Sequence, residues 1–261
     1  GPAATSVVSA AREITLDELF ARPIQYLPLT LKAPGANLAV DQALLEDVER
    51  GTLSGCLRIW EPDAYFVVLG RSSDPNRGVD LAACRGTGGG VWQRPSGGGV
   101  VLLGPGCLMV SLVLRLQQEG EVRPIDQIHR LVLERHATAL NRLEPTVRRE
   151  GISDLTIRKD HARRKFSGNS LRLKRQAILY HGTLLYDFDL TRIERFLQWP
   201  RRVPEYRRER SHADFVTNFP ATRQQLTETL IDAWLAGPPL DDWPQARTDE
   251  LRASDYQAWS S

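Results

Sequence analysis

Three features of this chain could do chemistry: a lysine beside a glycine, an arginine, and a run of glycines. In "QRPSGGGVVLLGPG" (Gln93 to Gly106), Arg94 and Ser96 stand just ahead of Gly97, Gly98 and Gly99, and an apolar run opening with Val100 and Val101 follows. Glycine gives up more conformational freedom on folding than any other residue, so a triplet has a cost that something must offset. A phosphate loop of the G-x-x-x-x-G-K-[ST] kind is excluded, because no lysine follows at the required place. A dinucleotide fingerprint is excluded as well, since the spacing differs and no helix follows. What remains is a bulged strand passing beneath a ligand, where glycine permits positive φ and backbone N–H groups approach an anion. Arg94 then stands where it could neutralise a phosphate. A tight hairpin with no ligand accounts for the same glycines.

Two further segments carry reactive types. "RKFSGNSLRLKRQAILYHGTLL" holds Lys165, then Gly168-Asn169, then His181-Gly182. A lysine opening a strand beside a glycine can point at a carboxylate or phosphate; a lysine in a basic loop is otherwise solvated. In "GISDLTIR", Asp154 opens a strand as a metal contact, a ribose contact or a turn residue. The 3 cysteines, Cys56, Cys84 and Cys107, form no C-x-x-C pair, which argues against a disulfide framework and a structural zinc site and fits a reducing cytoplasm. A net charge of +2 does not by itself call for nucleic acid. The basic runs "KDHARRK", "RLKR" and "RRVPEYRRER" read either as solvated faces or as a surface for an anionic ligand or acidic partner. No apolar run is long enough to span a membrane.

The elements that must hold these residues follow from periodicity. "NLAVDQALLEDVERG" (Asn37 to Gly51) is a helix stopped by glycine, and Pro124 to Leu143 a long amphipathic one. "CLRIWEP" and "AYFVVLGR" read as the two strands of a hairpin turned at Glu61-Pro62-Asp63. "VDLAACRGTGGG" holds a short helix. "SDLTIR", "RKFSGNSLRLKR" and "AILYHGTLLYDF" are strands, and the last third is mainly helical. Strands joined as hairpins predict an α+β fold on a mixed, largely antiparallel sheet flanked by helices.

Six segments in order, "NLAVDQALL", "VVLGRSSDPN", "RPSGGGVV", "GISDLTI", "RKFSGNS" and "YHGTLL", together resemble the lipoate–protein ligase and octanoyltransferase family, more distantly related to biotin–protein ligases. The resemblance runs from Asn37 to Leu190 and extends to about Leu235. It implies a biotin/lipoate protein ligase-like catalytic domain over 25–238, after an N-terminal extension 1–24 whose first two residues look like a cloning scar. A tail, 239–261, follows, without the accessory domain many free-lipoate ligases carry. The glycine strand would be the floor of an acyl-adenylate. Arg94, Ser96, Gly97, Gly98, Gly99, Val100, Val101 and Asp154 would then face ATP or acyl-AMP, and Lys165 would reach the acyl carbonyl and phosphate oxygens as the catalytic residue. Gly70, Arg71, Gly168, Asn169, His181 and Gly182 would border the lipoyl group, and Asp154 would be a Mg²⁺ contact.

The family divides by mechanism. Ligases activate lipoate or octanoate with ATP and pass it to a lysine of a lipoyl-acceptor domain, of the E2 or glycine-cleavage H kind, sometimes with a separate accessory polypeptide. Transferases first form a cysteine thioester. In one transferase branch the cysteine lies three residues before the HG pair, where this chain has Ile178; in the other it lies shortly before the "SDL" strand, where "TVRREGISDL" has none. Ligase chemistry is therefore expected. Cys107 is the remaining thiol for a thioester, and a non-catalytic lipoyl-domain-binding module is a further alternative. Leu102-Leu103 replaces the family's histidine-aspartate pair, which leaves the choice of acyl group open. A biotin ligase lacks support because its "GRGRxGR" loop is absent, and the basic runs lack the interleaved aromatics of a nucleic-acid binder.

Overall fold

A computed structural model of the chain describes residues 15–72, 89–117, 125–196 and 215–258. The short helix expected at 79–90, Cys84, most of "GRSSDPN" after Ser72, and the basic run 201–210 lie largely or wholly outside these residues.

The helix expected from Asn37 begins one turn earlier. It spans Pro34–Arg50 (α2, after a short α1 at Leu16–Leu19), with proline in its first turn. Gly51 ends it in the left-handed conformation, φ 82°, where its N–H reaches the Asp47 and Val48 carbonyls. Its apolar positions are nearly continuous because it is covered on both sides. One side lies on the main sheet and the other beneath the last helix.

That sheet has seven strands: β1 (Gln25–Leu27), β2 (Gly55–Trp60), β6 (Cys107–Arg115), β10 (Ala177–Leu185), β9 (Ala162–Leu173), β8 (Asp154–Lys159) and β7 (Arg148–Glu150), in that spatial order. Only β1–β2 pair in parallel within it. A smaller sheet, β4 (Val91–Gln93), β3 (Phe66–Leu69) and β5 (Val100–Leu103), stands apart from it. The mixed, largely antiparallel α+β architecture expected from the sequence is present.

The expected β2–β3 hairpin is not. β2 pairs with β1 and β6, and β3 with β4 and β5, so the turn after Trp60 carries the chain from one sheet to the other. Both strands are buried along their full length, and a continuous apolar run reads the same whichever neighbour it has. Trp60, Phe66, Leu103 and Met109 pack together in the apolar layer the two sheets share.

Strand alternation gives the main sheet two faces. Leu108, Val110, Leu112 and Leu114 of β6, with Ile178, Tyr180 and Leu184 of β10, face α3 (Ile125–Leu140) and α5 (Arg223–Trp234). Thr222 and Gln225 start α5 with a reciprocal capping box; α4 (Thr191–Phe196) precedes it. The opposite face lies under α2. The segments expected as extension and tail are packed into the body. Leu16, Leu19, Phe20 and Ile24 join the core. Leu240 donates its N–H to the Tyr26 carbonyl, and α6 (Gln245–Ser254) lies on α2, where Arg247 Nε meets Glu46 Oε2 at 2.7 Å.

Candidate active site

The glycine triplet carries the chain from β4 across the end of β3 to β5. Main-chain bonds fix the crossing: Arg94 N–H to Leu69 O (2.9 Å), Arg71 N–H to Ser96 O (2.9 Å) and Gly70 N–H to Gly99 O (3.1 Å). The approach is so close that a Cβ on Gly70 would stand 2.0 Å from the Gly98 oxygen, which is why glycine is required there. Val100 and Val101 continue from the crossing into β5, opposite Leu69 and Val68.

Arg94 holds the loop from inside. Its Nη2 donates to the carbonyls of Gly97 (2.9 Å) and Gly99 (3.0 Å), and its Nη1 to that of Val68. Only 8% of the residue is exposed, and burial lowers its pKa to about 10, so it stays charged at neutral pH. Its fork is turned inward to main-chain carbonyls. The effect on the loop is indirect. The C=O and N–H of a trans peptide point in opposite directions, so drawing in the Gly97 and Gly99 carbonyls turns the Gly98 and Val100 N–H groups away from Arg94.

The three glycines are not equivalent. Gly98 has φ +99°, and a Cβ there would lie 2.9 Å from Arg94 Nη2, so the fold itself demands glycine. Gly97 and Gly99 have neither constraint: φ is outside the left-handed region, and a Cβ on either meets no atom of the described residues within 4 Å. Nothing among the described residues explains why they are glycine.

Gly98 abuts β9, where its Cβ direction meets Ser170 Cβ at 3.6 Å. Two residues along the same face, Gly168 leaves room for Lys165, whose Nζ would stand 2.9 Å from a Cβ at 168. Lys165 is 2.9 Å from Asp154 Oδ1, with its side chain 30% exposed, and lies over the Phe215 ring at 5.8 Å. A bulge at Leu155/Thr156 puts Lys165 and Asp154 on this face. Asp154 is thus first of all the lysine's counter-ion. Among the described residues no group of three or more His, Cys, Asp or Glu gathers as a metal cluster.

Asn169 and Gly182 are placed elsewhere. They pair across β9–β10 on the α3 face, opposite the glycine loop, as period-two alternation with Gly168 requires. Asn169 donates to Ser153 O and Ser167 Oγ, and a Cβ on Gly182 would come within 1.8 Å of Asn169 Oδ1. Both line a small cavity with His136, Tyr180 and Leu184. Burial lowers the pKa of His136 to about 4, and its Nε2 accepts the Trp234 indole N–H at 2.8 Å.

His181 faces the loop side, in a polar row that the sequence reading missed. Arg58, Ser111, His181 and Ser170 are consecutive cross-strand partners on β2, β6, β10 and β9. Asp41 of α2 joins the row, taking Arg58 Nη1 at 2.9 Å and the Ser111 hydroxyl at 2.7 Å, with His181 Nδ1 at 3.5 Å. On the other side His181 Nε2 lies 2.5 Å from Ser96 Oγ, and Ser96 Oγ 3.2 Å from Ser170 Oγ. Burial pushes the Asp41 carboxyl up, but Arg58 and the bonds from His181 and Ser111 outweigh it and hold it below the usual carboxylate range. The available signal was a lone acid and a lone base inside apolar runs, "NLAVDQALL" and "CLRIW".

Cys107 does not suit the thioester alternative. It is fully buried in the layer between the sheets, 3.8 Å from Met109 Sδ, and burial raises its pKa far above that of a free thiol. Cys56 is also buried, its pKa pushed up to about 12. Arg71 is exposed at the loop's rim.

A protein of Aeropyrum pernix, provisionally named lipoate-protein ligase A, is 30% identical over 219 residues, 83% of this chain and 76% of its own. A relative in Mycoplasma pneumoniae with a similar name is 27% identical over 164 residues, 63% of this chain, which spans under half (46%) of that protein. Among solved structures, a lipoate-protein ligase A bound with ATP superposes with a TM-score of 0.72 at 20% identity, covering 89% of this chain and 95% of its own. A bi-partite lipoate protein ligase from Thermoplasma acidophilum, described with its E2 lipoyl domain, gives 0.71 at 21%, covering 88% and 92%. Residues 33–234 match the family model described as the lipoyl protein ligase A/B catalytic domain, and the chain belongs to that family.

Proposed function

We propose that this chain is an enzyme that activates lipoate or octanoate with ATP to an acyl-AMP and transfers the acyl group to a lysine of a lipoyl-acceptor domain. The observation that carries this reading is the position of Lys165. It is fixed on a strand, ion-paired to Asp154, and near a loop whose Gly97 and Gly99 serve no purpose in the packing of the described residues.

The roles follow from charge. The Val100 N–H, turned away from Arg94, suits a phosphate oxygen. The Lys165 ammonium stabilises negative charge developing on the acyl carbonyl and phosphate oxygens in both half-reactions. Asp154 fits as a single protein carboxylate for Mg²⁺, which is commonly held by one or two carboxylates plus substrate phosphates; the cation would supply charge neutralisation of the triphosphate. The buried cysteines favour an adenylate over a thioester. The named relatives support ATP and lipoate as ligands, and the Thermoplasma bi-partite ligase supports both a lipoyl-domain acceptor and a separate accessory polypeptide. Among the described residues no helix is long and apolar enough to cross a membrane; with free buried thiols, a cytoplasmic site of action is the proposal.

Intact-mass spectrometry tests it. A lipoyl domain incubated with the protein, Mg²⁺ and lipoate or octanoate gains one acyl group only when ATP is present. Modification that ignores ATP and requires an acyl thioester donor would move the protein to the transferase class.

A further inference from the structure

Acyl transfer to a lysine needs a base, because the amine arrives as an ammonium and attacks only after losing a proton. Lys165 is itself a cation held by Asp154, so the proton must go elsewhere. We propose that Ser170, Ser96, His181 and Asp41 form a proton relay that takes the proton from the acceptor lysine and stores it on the His181 imidazole. The inference rests on the ligase reading above.

The polarity of the chain of bonds is fixed from its buried end. Asp41 accepts from Arg58 and Ser111 and is ionised, so the His181 nitrogen facing it, Nδ1, carries the hydrogen. In the neutral imidazole Nε2 is then an acceptor, and Ser96, 2.5 Å away, must donate to it. Ser96 has one hydrogen and has used it, so in the 3.2 Å contact between the two hydroxyls Ser170 is the donor. Each group therefore donates inward, and the outer end of the relay offers only lone pairs. Such an end repels an anion and suits an ammonium. That end is also in the right place, since a Cβ on Gly98 would lie 3.6 Å from Ser170 Cβ and Ser170 shares its strand face with Gly168 and Lys165.

Proton movement balances along this path. An N–H bond of the ammonium breaks as its proton goes to Ser170 Oγ. The Ser170 proton goes to Ser96 Oγ, and the Ser96 proton to His181 Nε2. The neutral amine attacks the acyl carbonyl, AMP departs with the electron pair of the broken C–O bond and takes the second amine proton on its phosphate, and an imidazolium is left between Asp41 and Ser96. Asp41 stabilises that imidazolium as a buried carboxylate does in a Ser-His-Asp triad. Arg58 beyond Asp41 opposes the charge, Arg94 and Lys165 are the cations of the loop side, and Tyr256 interacts with both Arg172 and Asp41. Ser170 touches the acceptor amine; Ser96, His181 and Asp41 act through it as positioning residues.

The test is single-turnover transfer from preformed lipoyl-AMP to a lipoyl domain, followed against pH in wild type and Ser170→Ala. General-base assistance is typically worth about 10²–10⁴-fold. Transfer by Ser170→Ala is expected to be about a hundredfold slower at pH 7 and to recover as the pH approaches that of free lysine ionisation. A deficit of the same size at every pH, or no deficit, would overturn the relay. A second measurement does not depend on turnover: ¹⁵N imidazole spectra of the whole protein are expected to show neutral His181 protonated on Nδ1. The Nε2–H tautomer would overturn the relay even if ligation is confirmed. The Nδ1–H tautomer in a protein that fails to ligate would uphold the bonding and refute only the ligase reading.

Discussion

Adding one methyl group at Gly99 separates what the fold needs from what a ligand needs. In Gly99→Ala the new Cβ meets no atom of the described residues within 4 Å, and the backbone is outside the left-handed region. Replacing glycine by alanine at a conformation alanine can adopt stabilises by about 0.4–1 kcal/mol, because the unfolded chain loses freedom. The variant should melt at or slightly above the wild-type temperature. If the Val100 N–H grips phosphate, a Cβ on the residue before it intrudes on an oxygen held at hydrogen-bond distance. Loss of one charge-assisted bond, about 1.5–3 kcal/mol, weakens ATP binding at least tenfold. Gly98→Ala is the internal contrast. Its φ of +99° and the 2.9 Å approach to Arg94 Nη2 make it destabilised, at about 1–3 kcal/mol for the strained backbone alone. Calorimetric ATP titration and thermal melts on the three proteins decide the matter. Unchanged ATP affinity in Gly99→Ala, or a loss of stability matching that of Gly98→Ala, would show that the triplet is only a turn.

Lys165→Ala removes a partly exposed ammonium that fills no core space, so transfer should be abolished while the melting temperature changes little; near wild-type transfer would take Lys165 out of the site. Cys107→Ala should keep ATP-dependent ligation and cost about 1 kcal/mol or more in a urea titration through lost packing, whereas trapping an acyl thioester on the wild-type protein would reverse the assignment. His136 has a folded pKa lowered to about 4 from 6.5, so between those values the unfolded state binds the extra proton and stability falls as pH falls. At ~1.4 kcal/mol per unit the loss on reaching pH 4 is about 3 kcal/mol, and denaturant titrations at pH 7 and pH 5 should show part of it in wild type and less in His136→Phe.

How much was legible in the sequence differs from element to element. The end of α2 was readable, since helical spacing and a terminal glycine are local signals, while its first turn from Pro34 was not read. β8, β9 and β10 were readable because they alternate or are bounded by turns. Lys165 and the glycine triplet could be singled out because residue type and neighbours alone mark them. The partners of β2 and β3 could not be read: a strand buried on both faces has no period to show which sheet it joins. Nor could the inward turn of Arg94, which depends on carbonyls at Val68 and Gly97 meeting in space.

The sequence by itself determined the order of the segments, the glycine stop of α2, the absence of a thiol at the two transferase positions, and the glycines that allow close approach. Tertiary structure alone decided which reactive groups meet. Asp41, Ser96 and His181 are separated by 55 and 85 positions along the chain (Asp41 to Ser96, Ser96 to His181), yet they join in one hydrogen-bonded row. Side-chain direction in a strand alternates with each residue, so a single step separates Ser170, in that row, from Asn169, on the opposite face. Pairing register selects between them, and register is a property of the assembled sheet, fixed only when β9, β10, β6 and β2 lie side by side.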